Sequence, residues 1–141
     1  QVRRGGGVAA TLAQVGPADM LVLGKAGLSA YCGGVRLGST CRALLQQAPC
    51  TVLVYDEKAP LRPGPLRVLS QPVPSELLQL PLCTEVEALQ ARSARALEQQ
   101  LQRASCGALL LRRAEFRVLA DEDAQLLARI PVPVIVLPDP E

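Results

Sequence analysis

Residues 18–55 read ADMLVLGKAGLSAYCGGVRLGSTCRALLQQAPCTVLVY, and they order a strand, a glycine-rich loop, a helix and a second strand. Met20-Leu21-Val22-Leu23 is a short unbroken apolar run, the pattern of a parallel strand covered on both faces. The run halts at Gly24. Gly24-Lys25-Ala26-Gly27 permits a tight turn, because glycine tolerates positive φ and lets a ligand approach the backbone. Gly38-Ser39-Thr40 opens the helix, where free N–H groups and the helix dipole favour an anion. A strand end, two glycines and a helix N-terminus in this order predict a phosphate cradle.

Working outward, Val2-Arg3-Arg4 reads as the end of an earlier strand and residues 8–15 as an amphipathic helix. Gly16-Pro17 stops that helix, since glycine suits its C-terminal cap and proline cannot continue it. The next strand is expected over 18–23 and the next helix over 39–47, closed by Ala48-Pro49. Thr51-Val52-Leu53-Val54-Tyr55 is rich in β-branched residues and reads as a strand. Residues 57–65 carry three prolines and a glycine and read as a linker.

Beyond the linker, Leu66-Arg67-Val68-Leu69 is a strand candidate and residues 77–82 a second, short one. Thr84 with Glu87 three residues on matches a capping box. Val86, Leu89, Leu97, Leu101 and Ala104 give one apolar face to a helix running to about Ala104. Residues 107–111 then read as a buried strand. Asp121 is expected to cap a helix from Glu122 to Arg129, and residues 133–137 form the closing strand. The fold class is therefore α/β: a doubly wound parallel sheet built of two β-α-β-α-β units. The divisions are 1–57, a proline-rich linker at 58–65, and 66–141. Residues 43–54 parallel residues 125–136, because in both an amphipathic helix meets a proline and turns straight into an apolar strand. The second unit has Arg112-Arg113-Ala114-Glu115 where the first has its glycine loop, and reads as structural.

Gly24-x-x-Gly27, a spacer, Gly38-Ser39, Leu44-Leu45 and Ala48-Pro49-Cys50-Thr51-Val52-Leu53-Val54 together resemble the carboxyl half of a universal stress protein domain. The spacer is one residue longer than that family's usual one, and Gly33-Gly34 within it offers a place for a bulge. The resemblance implies an ATP-binding stress-response module, with or without Mg²⁺ beside the phosphates. Gly24 and Gly27 would admit the α- and β-phosphates, Gly38, Ser39 and Thr40 would hold the terminal phosphate, and Leu23 would lie beside the ribose or base. It further implies tandem domains in one chain, with the second copy degenerate. Family members pair through their last strands. Thr51–Tyr55 and Val132–Leu137 are thus expected to join antiparallel, as an internal pseudo-dimer or in a homodimer. The family's acidic residue after its first strand would lie upstream of Gln1, and Ser70-Gln71 replaces it in the second unit. The alternative reading is a degenerate structural, dimerisation or regulatory domain without nucleotide.

Composition narrows the chemistry. Of the 141 residues 49% are apolar, yet there are only two tyrosines and one phenylalanine and no tryptophan. The core must therefore be Leu, Val, Ile and Ala, as in parallel sheets. A formal net charge of +2 with dispersed basic residues does not predict nucleic-acid binding. No apolar run is long enough to span a bilayer, so membrane insertion is not expected. The opening Gln1-Val2-Arg3-Arg4, without a methionine, reads as a piece of a longer chain. Five widely spaced cysteines make no disulfide framework, so reduced thiols in the cytoplasm are expected. The absence of histidine removes the usual catalytic triads and zinc sites. No enzyme is expected beyond weak ATP hydrolysis.

Single residues receive plain readings. Lys25 is a solvated charge and Cys32 an unreactive loop thiol. Cys41, Cys50 and Cys106 are small core residues. Asp121-Glu122-Asp123 is the acidic first turn of a helix rather than a metal cluster. Arg92, Arg95 and Arg103 form a solvated helix side.

Overall fold

The computed structural model describes residues 16, 20–24, 39–55, 61–70 and 73–138. The expected strand and helix in residues 2–15 lie outside them. Among the described residues a six-stranded sheet runs through the whole chain, in the order β1-β2-β6-β5-β3-β4. Its strands are β1 Met20–Gly24, β2 Thr51–Tyr55, β3 Gly64–Val68, β4 Cys83–Ala88, β5 Ala108–Arg112 and β6 Val134–Leu137. The helices are α1 Ser39–Gln47, α2 Ser75–Leu78, α3 Ala94–Leu101, α4 Arg113–Glu122 and α5 Leu126–Arg129.

Every ladder is parallel except one. β1 runs parallel to β2, and β3 runs parallel to both β4 and β5, which is in turn parallel to β6. β2 and β6 pair antiparallel, with Val52 opposite Val136, Leu53 opposite Ile135 and Val54 opposite Val134. The strand join expected between Thr51–Tyr55 and residues 132–137 is thus present within the chain. Pro133 precedes β6 and stands at the strand start, where a missing N–H costs least. Its carbonyl still accepts from Leu109 N at 2.9 Å.

The core divides by sheet face. On one face Leu21, Val52, Val54, Leu109, Leu111, Val134 and Val136 pack under α1, α3, α4 and α5. On the other, Leu66, Val68, Ala108, Leu110, Ile135 and Leu137 pack with Leu77 of α2. β5 is buried from Ala108 to Leu111, as a central parallel strand must be.

Five expectations are corrected. The linker ends before Gly64, because Gly64 and Pro65 open β3. Proline is tolerated there by a register irregularity between Gly64 and Pro65 against β4. The strand expected over 77–82 is instead α2 followed by turns, its first turn led by Pro74 and Glu76. Thr84 to Glu87 is not a capping box but part of the edge strand β4, where Thr84 and Val86 supply β-branched residues. The helix beyond it begins only at Ala94, where the Ser93 hydroxyl accepts from Ala96 N at 3.1 Å. Asp121 does not cap a helix from Glu122 to Arg129, because Asp121 and Glu122 form the last turn of α4 and only Leu126–Arg129 is helical beyond.

Ser93 therefore carries the cap that Thr84 was expected to supply. Ser93→Ala should cost about 1 kcal/mol in urea denaturation, whereas Thr84→Ala should stay within about 0.5 kcal/mol as an exposed edge position.

Candidate functional site

β1 carries Leu23 and Gly24 to the carboxyl edge of the first unit, where Gly24 lies opposite Tyr55 at the end of β2. The helix that follows opens at Ser39, with Thr40 in its first turn. Gly27 and Gly38, with Lys25, Cys32 and Arg36, lie outside the described residues, as do the side chains of Ser39 and Thr40. What is on view is the frame: a parallel strand ending in glycine, and a nine-residue helix returning to the neighbouring strand. In open α/β sheets ligands bind outside the carboxyl ends of the strands.

Two helix N-termini beyond the linker are closed by carboxylates of the chain. The Glu122 carboxylate accepts from Ala94 N at 2.6 Å and joins Ser93 in closing α3. At α4 the Glu115 carboxylate accepts from Arg112 N at 2.8 Å. Both positive helix ends thereby receive a carboxylate of the chain itself. α1, like α3, has no acidic residue in its first turn, and the side chains at its N-terminus lie outside the described residues.

The second unit has a full doubly wound order, β4-β3-β5-β6, and its chain reverses direction of growth between β3 and β5. Such a switch point is where a ligand would be sought. Here a hydrogen bond of the chain itself crosses it. Arg112 ends β5, and its Nε donates to Ser70 Oγ beyond β3 at 3.2 Å. β5 passes into α4 without an intervening loop residue, and Glu115 closes the helix. The segment Arg112–Glu115 is thus a direct strand-to-helix turn. Because β2 and β6 are antiparallel, the carboxyl edges of the two units point to opposite sides of the sheet.

The remaining candidates resolve simply. Cys50 is a core residue, Cys83 is buried and Cys106 is only half-buried, which corrects the expectation of a core Cys106. Burial pushes the Cys83 thiol above its ordinary value of 9.0. Asp123 pairs with Arg129, which also meets Glu98 at 3.0 Å. Among the described residues no cluster of histidine, cysteine or carboxylate could hold a metal. Arg92, Arg95 and Arg103 are exposed. No helix of the described residues is long and apolar enough to cross a membrane.

One residue escaped the sequence reading. Arg113 is 4% exposed, and its guanidinium donates to the carbonyls of Ala48 at 2.5 Å and Cys50 at 3.4 Å. The signal was present in its spacing: Arg113, Phe116 and Leu119 fall on one helical face, and all three are buried. A charge in such a stripe needs a buried partner.

Comparison with known proteins bears on the first unit. Residues 2–56 match the model of the Universal stress protein family. The matched span ends just after β2 and contains β1 and α1. No curated protein and no solved structure matches the chain.

Proposed function

We propose, for a chain whose residues 2–56 match the model of the universal stress protein family, that it is a stress-response module binding adenine nucleotide in its first unit. In this reading Gly24 and Gly27 admit the phosphate chain. Gly38, Ser39 and Thr40 hold its end on the backbone donors of α1, and Leu23 flanks the nucleoside. Mg²⁺ would accompany the phosphates. The observation that carries the reading is the coincidence of the family match with a glycine-ended strand and a helix whose first turn holds no carboxylate. The module acts by binding. The chain has no histidine, and hydrolysis is not part of the proposal. The second unit serves as its structural partner through the β2–β6 ladder, and the protein works in the cytoplasm.

Titration of ATP with Mg²⁺, with GTP and AMP as controls, tests this. A saturable signal specific for ATP is expected. Gly38→Glu should weaken it about a hundredfold, about 2.7 kcal/mol, without moving the melting temperature, because a carboxylate would occupy the anion position. Absence of binding at millimolar ATP would instead favour a second reading, a structural or regulatory domain without nucleotide. The Arg112–Ser70 hydrogen bond across the switch point of the second unit supports that alternative.

A further inference from the structure

We infer that Arg113 makes the second unit the C-terminal cap of α1, so that the placement of α1 depends on α4. The consequence for nucleotide rests on the reading above; the coupling itself does not. The last carbonyls of a helix have no partner within it and usually turn to water, to a glycine cap or to a cation. α1 ends at Gln47, and the chain passes through Ala48-Pro49-Cys50 straight into β2. Ala48 and Cys50 are fully buried, which closes the route to water.

The donors come instead from α4. Arg113 donates to the Ala48 and Cys50 carbonyls, and Arg117, one turn on, donates from Nη2 to Gln46 O at 3.1 Å. Two guanidinium groups four residues apart thus hold three alternate carbonyls, Gln46, Ala48 and Cys50, where the chain leaves α1 for β2. A guanidinium is planar, carries five donors and stays charged, and it meets the negative end of the helix dipole here. Arg113 is the one buried charged residue among those described. Alongside it Phe116 and Leu119 share a core with Leu44 and Leu45 of α1. Apolar packing alone would let α1 slide or roll on α4. The directional bonds to Gln46, Ala48 and Cys50 fix its register, and with it the position of the N-terminus at Ser39. Arg113 is therefore a positioning residue for α1, supplied by the unit that lacks a glycine loop of its own.

The test uses the full chain and reads amide hydrogen exchange in residues 43–48, with β3 as internal reference, alongside the ATP·Mg²⁺ titration. Arg113→Met keeps volume and removes the donors. It should raise exchange in 43–48 about tenfold relative to β3, and Arg113→Lys should restore part of the protection. Where wild type binds ATP, Arg113→Met should weaken binding by a similar factor. Unchanged exchange in Arg113→Met would overturn the inference. If wild type binds no ATP, the nucleotide reading falls while the exchange result still decides the coupling. Should Arg113→Met fail to fold, the exposed Arg117→Met, which removes the donor to Gln46 O, decides: about a threefold rise in 43–48 is expected, and no rise overturns it.

Discussion

Replacing Gly107 by alanine is expected to remove about 4 kcal/mol of stability, from left-handed backbone strain together with a forced backbone displacement. Gly107 has a φ of +80°, a conformation that glycine adopts freely and other residues adopt at a cost. Space is the larger obstacle. A Cβ there would stand 2.1 Å from the Pro65 carbonyl oxygen and 2.9 Å from Gly64 C. Those atoms are the backbone of β3 and cannot rotate aside. Gly107 also donates from its N–H to Arg62 O at 2.8 Å, while Gly64 donates to Leu82 O at 3.0 Å. The starts of β3, β4 and β5 are therefore tied at one point, and Gly107→Ala must part them. Urea denaturation reads the loss. A midpoint equivalent to less than about 1 kcal/mol of destabilisation would mean the three strands are not held there.

Ile135→Ala should cost about 3 kcal/mol, within the range for a buried isoleucine that leaves a cavity. Ile135 is fully buried and lies between Leu53 of β2 and Leu110 of β5. It sits on the seam between the units. Both of the chain's tyrosines, Tyr31 and Tyr55, belong to the first unit, and there is no tryptophan. Tyrosine fluorescence therefore reports the first unit and far-UV circular dichroism the whole chain. A shared sheet predicts that Ile135→Ala lowers both transitions together. A fluorescence transition left at the wild-type midpoint would show that the units unfold independently.

These two residues illustrate what a sequence discloses. β1, α1, β2 and β5 were legible because each is a dense apolar or periodic segment bounded by glycine or proline. The β2–β6 join was expected only through the family resemblance, whose members pair by their last strands; no local pattern encodes it. β4 was not. As an exposed edge strand it lacks apolar alternation, and Thr84 and Glu87 mimic a helix start. α4 was not legible at its start, because Arg112–Glu115 carry neither a glycine turn nor a Ser, Thr, Asp or Asn cap. The helical spacing of Arg113, Phe116 and Leu119 was the better guide. Gly107 read as an ordinary strand start, since neither its positive φ nor the close approach of Pro65 is encoded in a local pattern. At the candidate site, the glycines and Ser39 were legible as residue types. The guanidinium grip on α1 was not, because Arg113 and Ala48 are 65 residues apart.

The antiparallel ladder between Thr51–Tyr55 and Val134–Leu137 has a consequence in mass action. When such a ladder joins separate chains, dilution dissolves it, and its apparent stability follows protein concentration. Here both strands travel on one polypeptide, and a tether of this kind keeps its ends at an effective concentration on the order of millimolar. The seam should survive at any copy number in the cell, and the transition midpoint that Ile135 helps set should not move when the protein is diluted.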